Sequence, residues 1–252
     1  MRVRFECQWR RADASQPTGA LAAWALAAAL GCARGRGDTT REAEATDTPT
    51  AATATPSASV QSRAPRGDTA RRIVFLGTSL TAGLGLPPEQ AYPALIADKI
   101  DSAGLDYVVI NAGVSGETSA GALRRIDWVL RDPVDVLVLE TGANDGLRAL
   151  PIDSTRANIQ AILDRVKRER PGARVALVQM EAPPNLGPEY TSRFRAMFPA
   201  LAAANGVTLV PFLLEGVAGH AELNQADGIH PNVQGERIVA ENVWRAVERM
   251  LR

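Results

Sequence analysis

From Arg72 to the C-terminus, short apolar runs alternate with longer stretches whose apolar residues recur at helical spacing. Ile73-Val74-Phe75-Leu76 is β-branched and aromatic and ends at Gly77, which predicts a first strand. Ala91 to Ala103 reads as a helix, with Pro93 tolerated in its first turn. Tyr107-Val108-Val109-Ile110 predicts a second strand, and Ser119 to Leu130 a helix with Ser119 as its N-cap. Val134 to Leu139 is apolar at every position but Asp135, the pattern of a strand buried on both faces. Ser154 to Arg170 is helical and stops at Pro171-Gly172; Arg174 to Met180 is the fourth strand. Glu189 to Asn205 forms a helix ending at Gly206, Val207 to Val210 a fifth strand, and Gln234 to Arg252 a closing helix.

Strand and helix alternating in this way predict an α/β domain, a mostly parallel five-stranded sheet with helices on both faces. Right-handed crossovers put every loop that follows a strand on the same edge, where ligands bind in such sheets. Ser79 follows the first strand, Gly116 the second and Asn144 the third, so three chemically interesting loops share that edge.

The first 70 residues break the pattern. Arg2, Arg4, Arg10 and Arg11 precede an apolar stretch, Ala20 to Leu30, which is too short to span a bilayer as a helix and has the length of a signal-peptide core. It runs into Ala28-Ala29-Leu30-Gly31-Cys32, which resembles a bacterial lipobox with the leucine one place nearer the cysteine than usual. Residues 1–32 are therefore expected to be an export signal of lipoprotein type. The protein is then periplasmic, or anchored to a bacterial membrane through a lipidated Cys32. Residues 33–70 are rich in Thr, Ala, Pro and Ser, cannot bury enough apolar surface to offset backbone ordering, and are expected to be a disordered tether. Residues 71–252 make the folded domain.

Composition adds exclusions. The formal net charge is zero and no basic patch with interleaved aromatics is present, so nothing points to nucleic acid. The two cysteines, Cys7 and Cys32, both precede the folded domain, which therefore has neither a disulfide nor a cysteine metal ligand. There is no G-x-G-x-x-G, P-loop or H-E-x-x-H segment.

The chemistry lies in four segments: Gly77-Thr78-Ser79-Leu80, Asn111 to Thr118 around Gly116, Thr141-Gly142-Ala143-Asn144-Asp145, and Asp227-Gly228-Ile229-His230-Pro231. Ser79 alone could cap a helix; beside the other segments it reads as a nucleophile. It is not the G-x-S-x-G elbow, because Thr81 stands where that motif needs glycine. Pro231 keeps His230 out of helical geometry, and Asp227 three residues earlier can bond one imidazole nitrogen and leave the other for Ser79. The second histidine, His220, has only Glu222 nearby and reads as a surface residue. Gly116 is either a turn glycine or a bare backbone whose N–H can approach a substrate oxygen, and Asn144 either caps a helix beginning at Asp145 or supplies a side-chain donor. The N–H groups of Ser79 and Gly116 and the Asn144 amide would together make an oxyanion hole. Asp145 reads as a cap or loop-ordering group and Arg148 as a rim residue.

In these four segments the chain resembles the SGNH hydrolase superfamily, the GDSL esterases and lipases, and within it the bacterial group of acyl-thioesterases, lysophospholipases and arylesterases. The resemblance covers Arg72 to Arg252. It implies a flavodoxin-like three-layer α/β/α sandwich, with Ser79 as nucleophile, Asp227 and His230 completing a triad, and Gly116 and Asn144 as oxyanion donors. No metal or cofactor is implied, and the partner is a small ester or thioester. Thr78 replaces the aspartate of the family's name sequence, so hydrogen bonding in that loop should differ. Leu84-Gly85-Leu86-Pro87-Pro88 is expected to shape an acyl pocket suited to alkyl or aryl groups. A carbohydrate acetylesterase of the same superfamily and a flavodoxin-like binding module without catalysis remain as alternatives.

Overall fold

The computed structural model describes residues 59–60 and 70–252. The expected export signal, Cys32 and most of the expected tether lie outside the described residues. The parallel strands are β2 (Arg71–Gly77), β3 (Tyr107–Gly113), β4 (Val136–Leu139), β5 (Arg174–Val178) and β6 (Thr208–Val210). Two residues within the expected tether, β1 (Ser59–Val60), pair antiparallel with Asn111 and Ile110 at the edge of the sheet. The order is β1-β3-β2-β4-β5-β6, so the five parallel strands have the flavodoxin-like arrangement. The chain leaves β2 toward β3 and then returns to β4 on the other side. The carboxyl end of β2 is therefore the switch point, and Ser79 lies two residues beyond it.

The long helices are α2 (Tyr92–Ser102), α3 (Ser119–Val129), α5 (Ile152–Glu169), α6 (Pro188–Asn205) and α7 (Val233–Leu251). Packing pairs α2 with α7, and α3 with α5, which also contacts α6. In α5 the buried residues Ile152, Thr155, Ile159, Ile162, Leu163 and Val166 fall on one stripe of helical period, which is why this segment folds as an amphipathic helix. All four residues of β4 are buried, as its unbroken apolar run predicted, because it lies between β2 and β5. Each such Val or Leu contributes about 1.5–3 kcal/mol on leaving water.

Two very short helices escaped the sequence pattern: α1 (Ser79–Ala82) and α4 (Ala143–Leu147), each directly after a strand of the central sheet. The N-cap of α3 is Thr118 rather than Ser119; the Thr118 hydroxyl accepts from the Gly121 N–H at 3.4 Å. Ser119 is otherwise engaged, as described below.

Candidate active site

Ser79 opens α1, so its N–H has no intrahelical acceptor. Its hydroxyl lies 2.8 Å from His230 Nε2, although 151 residues separate the two. His230 Nδ1 lies 2.6 Å from Asp227 Oδ2, while Asp227 Oδ1 accepts from the N–H groups of Ile229 at 2.9 Å and His230 at 3.0 Å. These bonds, led by the His230 N–H, hold the Asp227 carboxyl down at about 2. An ionised carboxylate only accepts, so Nδ1 donates to it and Nε2 is left as the acceptor facing the Ser79 hydroxyl.

The histidine turn is braced by its own backbone. Asn224 bridges Pro231, the Gln225 N–H donates to His230 O at 2.7 Å, and the Asn232 N–H donates to Leu223 O at 2.9 Å. The His220 side chain is 55% exposed and lies 3.4 Å from Glu222, consistent with its reading as a surface group.

The other two segments meet each other. Gly116 has φ +75°, a left-handed conformation that favours glycine. Among the described residues its N–H meets no protein acceptor, while its carbonyl accepts from Arg148 Nη2 at 3.0 Å. Asn144 Nδ2 donates to Glu117 O at 3.0 Å, which leaves its second N–H for another acceptor. Asn144 lies within the first turn of α4, whose N-cap is Gly142, so it is not the cap of a helix beginning at Asp145. Asp145 does order the loops, but over long range. Its carboxylate accepts from Ser119 N at 2.8 Å, Ser119 Oγ at 2.5 Å and Thr155 Oγ1 at 3.1 Å, tying α4 to α3 and α5.

Two buried groups that sequence reasoning did not single out hold the frame. Glu140 follows β4, is fully buried, and its Oε2 accepts from Thr78 N at 2.7 Å, Thr78 Oγ1 at 2.9 Å and Thr81 Oγ1 at 3.0 Å. Burial pushes its carboxyl up, against the pull of those bonds. Thr78 therefore serves as a donor to Glu140 through both its N–H and its hydroxyl. The signal available in sequence was a lone acid at the end of an apolar strand. Arg125 pairs with Glu117 at 2.7 Å and donates to Ala112 O at 2.8 Å and Gly77 O at 3.2 Å, fastening the carboxyl ends of β2 and β3 together.

Among the described residues, three of the four exposed large apolar side chains, Leu84, Leu147 and Ile229, sit on or just beyond the segments that carry Ser79, Asn144 and His230. Two cavities, of about 480 and 320 Å³, are lined by residues of the loop after β5 with α6 and of β5, β6, α5 and α7, and neither includes Ser79 or His230. Among the described residues no group of three or more His, Cys, Asp or Glu side chains is placed to hold a metal ion. The arrangement is a hydroxyl with a base, a carboxylate orienting that base, and three N–H donors from neighbouring loops, which together suit nucleophilic acyl transfer.

Comparison with known proteins agrees. The model of the GDSL-like Lipase/Acylhydrolase family matches residues 75–238. The esterase TesA of Pseudomonas aeruginosa is 39% identical over 183 residues, which is 72% of this chain and 90% of that protein. The thioesterase 1/protease 1/lysophospholipase L1 of Escherichia coli strain K12 is 38% identical over 186 residues, 73% of this chain and 84% of that one. The crystal structure of TesA superposes with a TM-score of 0.68 at 38% identity, covering 72% of this chain and all of that one. With the family match running from within β2 through the serine segment to the histidine turn, the chain belongs to the GDSL-like lipase/acylhydrolase family.

Proposed function

We propose that this protein is a serine esterase that hydrolyses carboxylic esters or thioesters of the arylesterase, lysophospholipase and acyl-thioesterase type. The observation that carries the reading is the line from Asp227 through His230 to Ser79, with separations of 2.6 and 2.8 Å. Ser79 Oγ attacks the acyl carbonyl as His230 Nε2 takes its proton. The N–H groups of Ser79 and Gly116 and the free N–H of Asn144 hold the oxyanion. His230 then passes its proton to the departing alcohol or thiol, leaving an acyl-serine. A water molecule gives its proton to His230, attacks the acyl carbon, and the collapse returns the proton to Ser79 and releases the acid.

Leu84, Leu147 and Ile229 support an alkyl or aryl acyl group over a sugar. The names of the relatives, esterase and thioesterase/lysophospholipase, support esters and thioesters together. The test is hydrolysis of p-nitrophenyl esters from acetate to palmitate, and of acyl-CoA, by the protein and by Ser79→Ala. Turnover that disappears in the variant is expected; turnover that persists would remove Ser79 from the mechanism.

The export reading, with Cys32 lipidated at a bacterial membrane, rests on the N-terminal sequence. Mass spectrometry of the mature N-terminus tests it, and an unmodified terminus other than Cys32 would overturn it.

A further inference from the structure

Ser79 and His230 belong to loops 151 residues apart, and the hydrogen bond between their side chains is too weak to hold those loops in register by itself. A second path joins the same two residues through the backbone. The Leu84 N–H donates to Ser79 O at 3.0 Å. Leu84 O accepts from Gln225 Nε2 at 2.7 Å, and the Gln225 N–H donates to His230 O at 2.7 Å. Gln225 Nε2 also donates to Pro231 O at 2.9 Å, the residue after the histidine. One side-chain amide thus spends both its N–H groups on two carbonyls, one from each loop.

Gly85 makes room for this bridge. A Cβ there would come 2.2 Å from Gln225 Oε1 and 3.1 Å from its Cδ, and φ at Gly85 is +82°. The rest of the histidine turn is closed on itself by the Asn224–Pro231 bridge and the Asn232–Leu223 bond, so it moves as a unit. A unit of that kind needs a tether to the nucleophile's side.

We infer that Gln225 is a positioning residue that sets the distance between His230 and Ser79 by fastening the histidine turn to the loop after α1. It touches no reacting atom; it works through the two loops that do. The inference rests on the serine-esterase reading above. Displacing a base by about 1 Å costs on the order of a hundredfold in rate, while loss of these two hydrogen bonds, one exposed and one part-buried, costs little stability.

The experiment compares Gln225→Met, which keeps length and loses both donors, with Gln225→Glu, which keeps shape and turns acceptors toward two carbonyls. Gly85→Ala, which pushes on the amide from outside, is measured alongside, as is Ser79→Ala. The readouts are kcat and KM for a short p-nitrophenyl ester, the rate of Ser79 labelling by a fluorophosphonate, and Tm. The expected result is a fall in kcat of about 10- to 100-fold in Gln225→Met and a larger one in Gln225→Glu. KM should stay level, labelling should slow in parallel, and Tm should hold. Wild-type kcat in Gln225→Met would overturn the inference, and so would losses that follow Tm from variant to variant. Because Ser79→Ala is in the same series, activity surviving there would instead mark failure of the serine mechanism itself.

Discussion

Replacing Asn144 by alanine separates a catalytic donor from a structural one, because the two roles predict losses of different size in different observables. The Asn144 amide carries two N–H groups, and one of them is committed to Glu117 O at 3.0 Å. Removing that part-buried bond should cost about 0.5–1.5 kcal/mol of stability. For a domain of this size that lowers Tm by roughly 2–4 °C per kcal/mol. The second N–H is the one assigned to the oxyanion. Its loss should lower kcat by about 10²–10³, equivalent to about 2.7–4 kcal/mol of transition-state stabilisation. That bond tightens only as charge develops on the oxygen, so the loss should appear in kcat and leave KM level. Acylation and deacylation both pass through an oxyanion, so neither step escapes. Steady-state kinetics on a p-nitrophenyl ester, with Tm from calorimetry on the same samples, give both numbers. A kcat within about threefold of the unaltered protein, alongside the small drop in Tm, would refute the assignment of Asn144.

Asp227→Asn should lower kcat by up to about 10⁴, since an amide donating to Nδ1 would leave the hydrogen on Nε2, where the Ser79 proton must go; a steady-state kcat near that of the unaltered protein would count against the triad. Glu140→Leu should destabilise the fold by about 1–3 kcal/mol for the stranded Thr78 N–H alone, read by chemical denaturation. Glu236, buried at the start of α7 with its Oε2 accepting from the Tyr92 N–H at 2.8 Å, has its carboxyl raised by burial from 4.5 to about 8. The folded state therefore holds this proton where the unfolded chain has lost it, so its contribution to stability is full below pH 4.5 and lost as pH rises toward 8. Glu236→Gln should flatten that part of the stability curve, measured as Tm against pH; an unchanged slope would contradict the raised value. Asp227 acts in the opposite sense: its lowered carboxyl stabilises the fold above pH 3.8, and that contribution fades as pH falls toward about 2.

The parallel sheet was legible because β2 to β6 are short apolar runs separated by amphipathic stretches, and their edge could be deduced from crossover handedness. The pairing of Ser79, His230 and Asp227 was legible because a turn with Asp three residues before His can serve only a few purposes. What escaped had physical reasons. The helices α1 and α4 have four and five residues, too few to show a period. Ser119 looks like a cap by local rules, but Asp145, 26 residues away, claims both its hydroxyl and its N–H, and Thr118 caps instead. Glu140 at the end of an apolar strand has no local explanation, since its partners are Thr78 and Thr81, about sixty positions earlier in the chain. The strand Ser59–Val60 has no apolar alternation of its own; it exists by pairing with the edge of β3.

The central claim is that Ser79 forms the covalent intermediate, and peptide mapping after fluorophosphonate treatment tests it most directly. The expected result is a single adduct on the peptide that contains Ser79, and no adduct in Ser79→Ala. An adduct on another residue, or an active enzyme that takes up no fluorophosphonate, would contradict it.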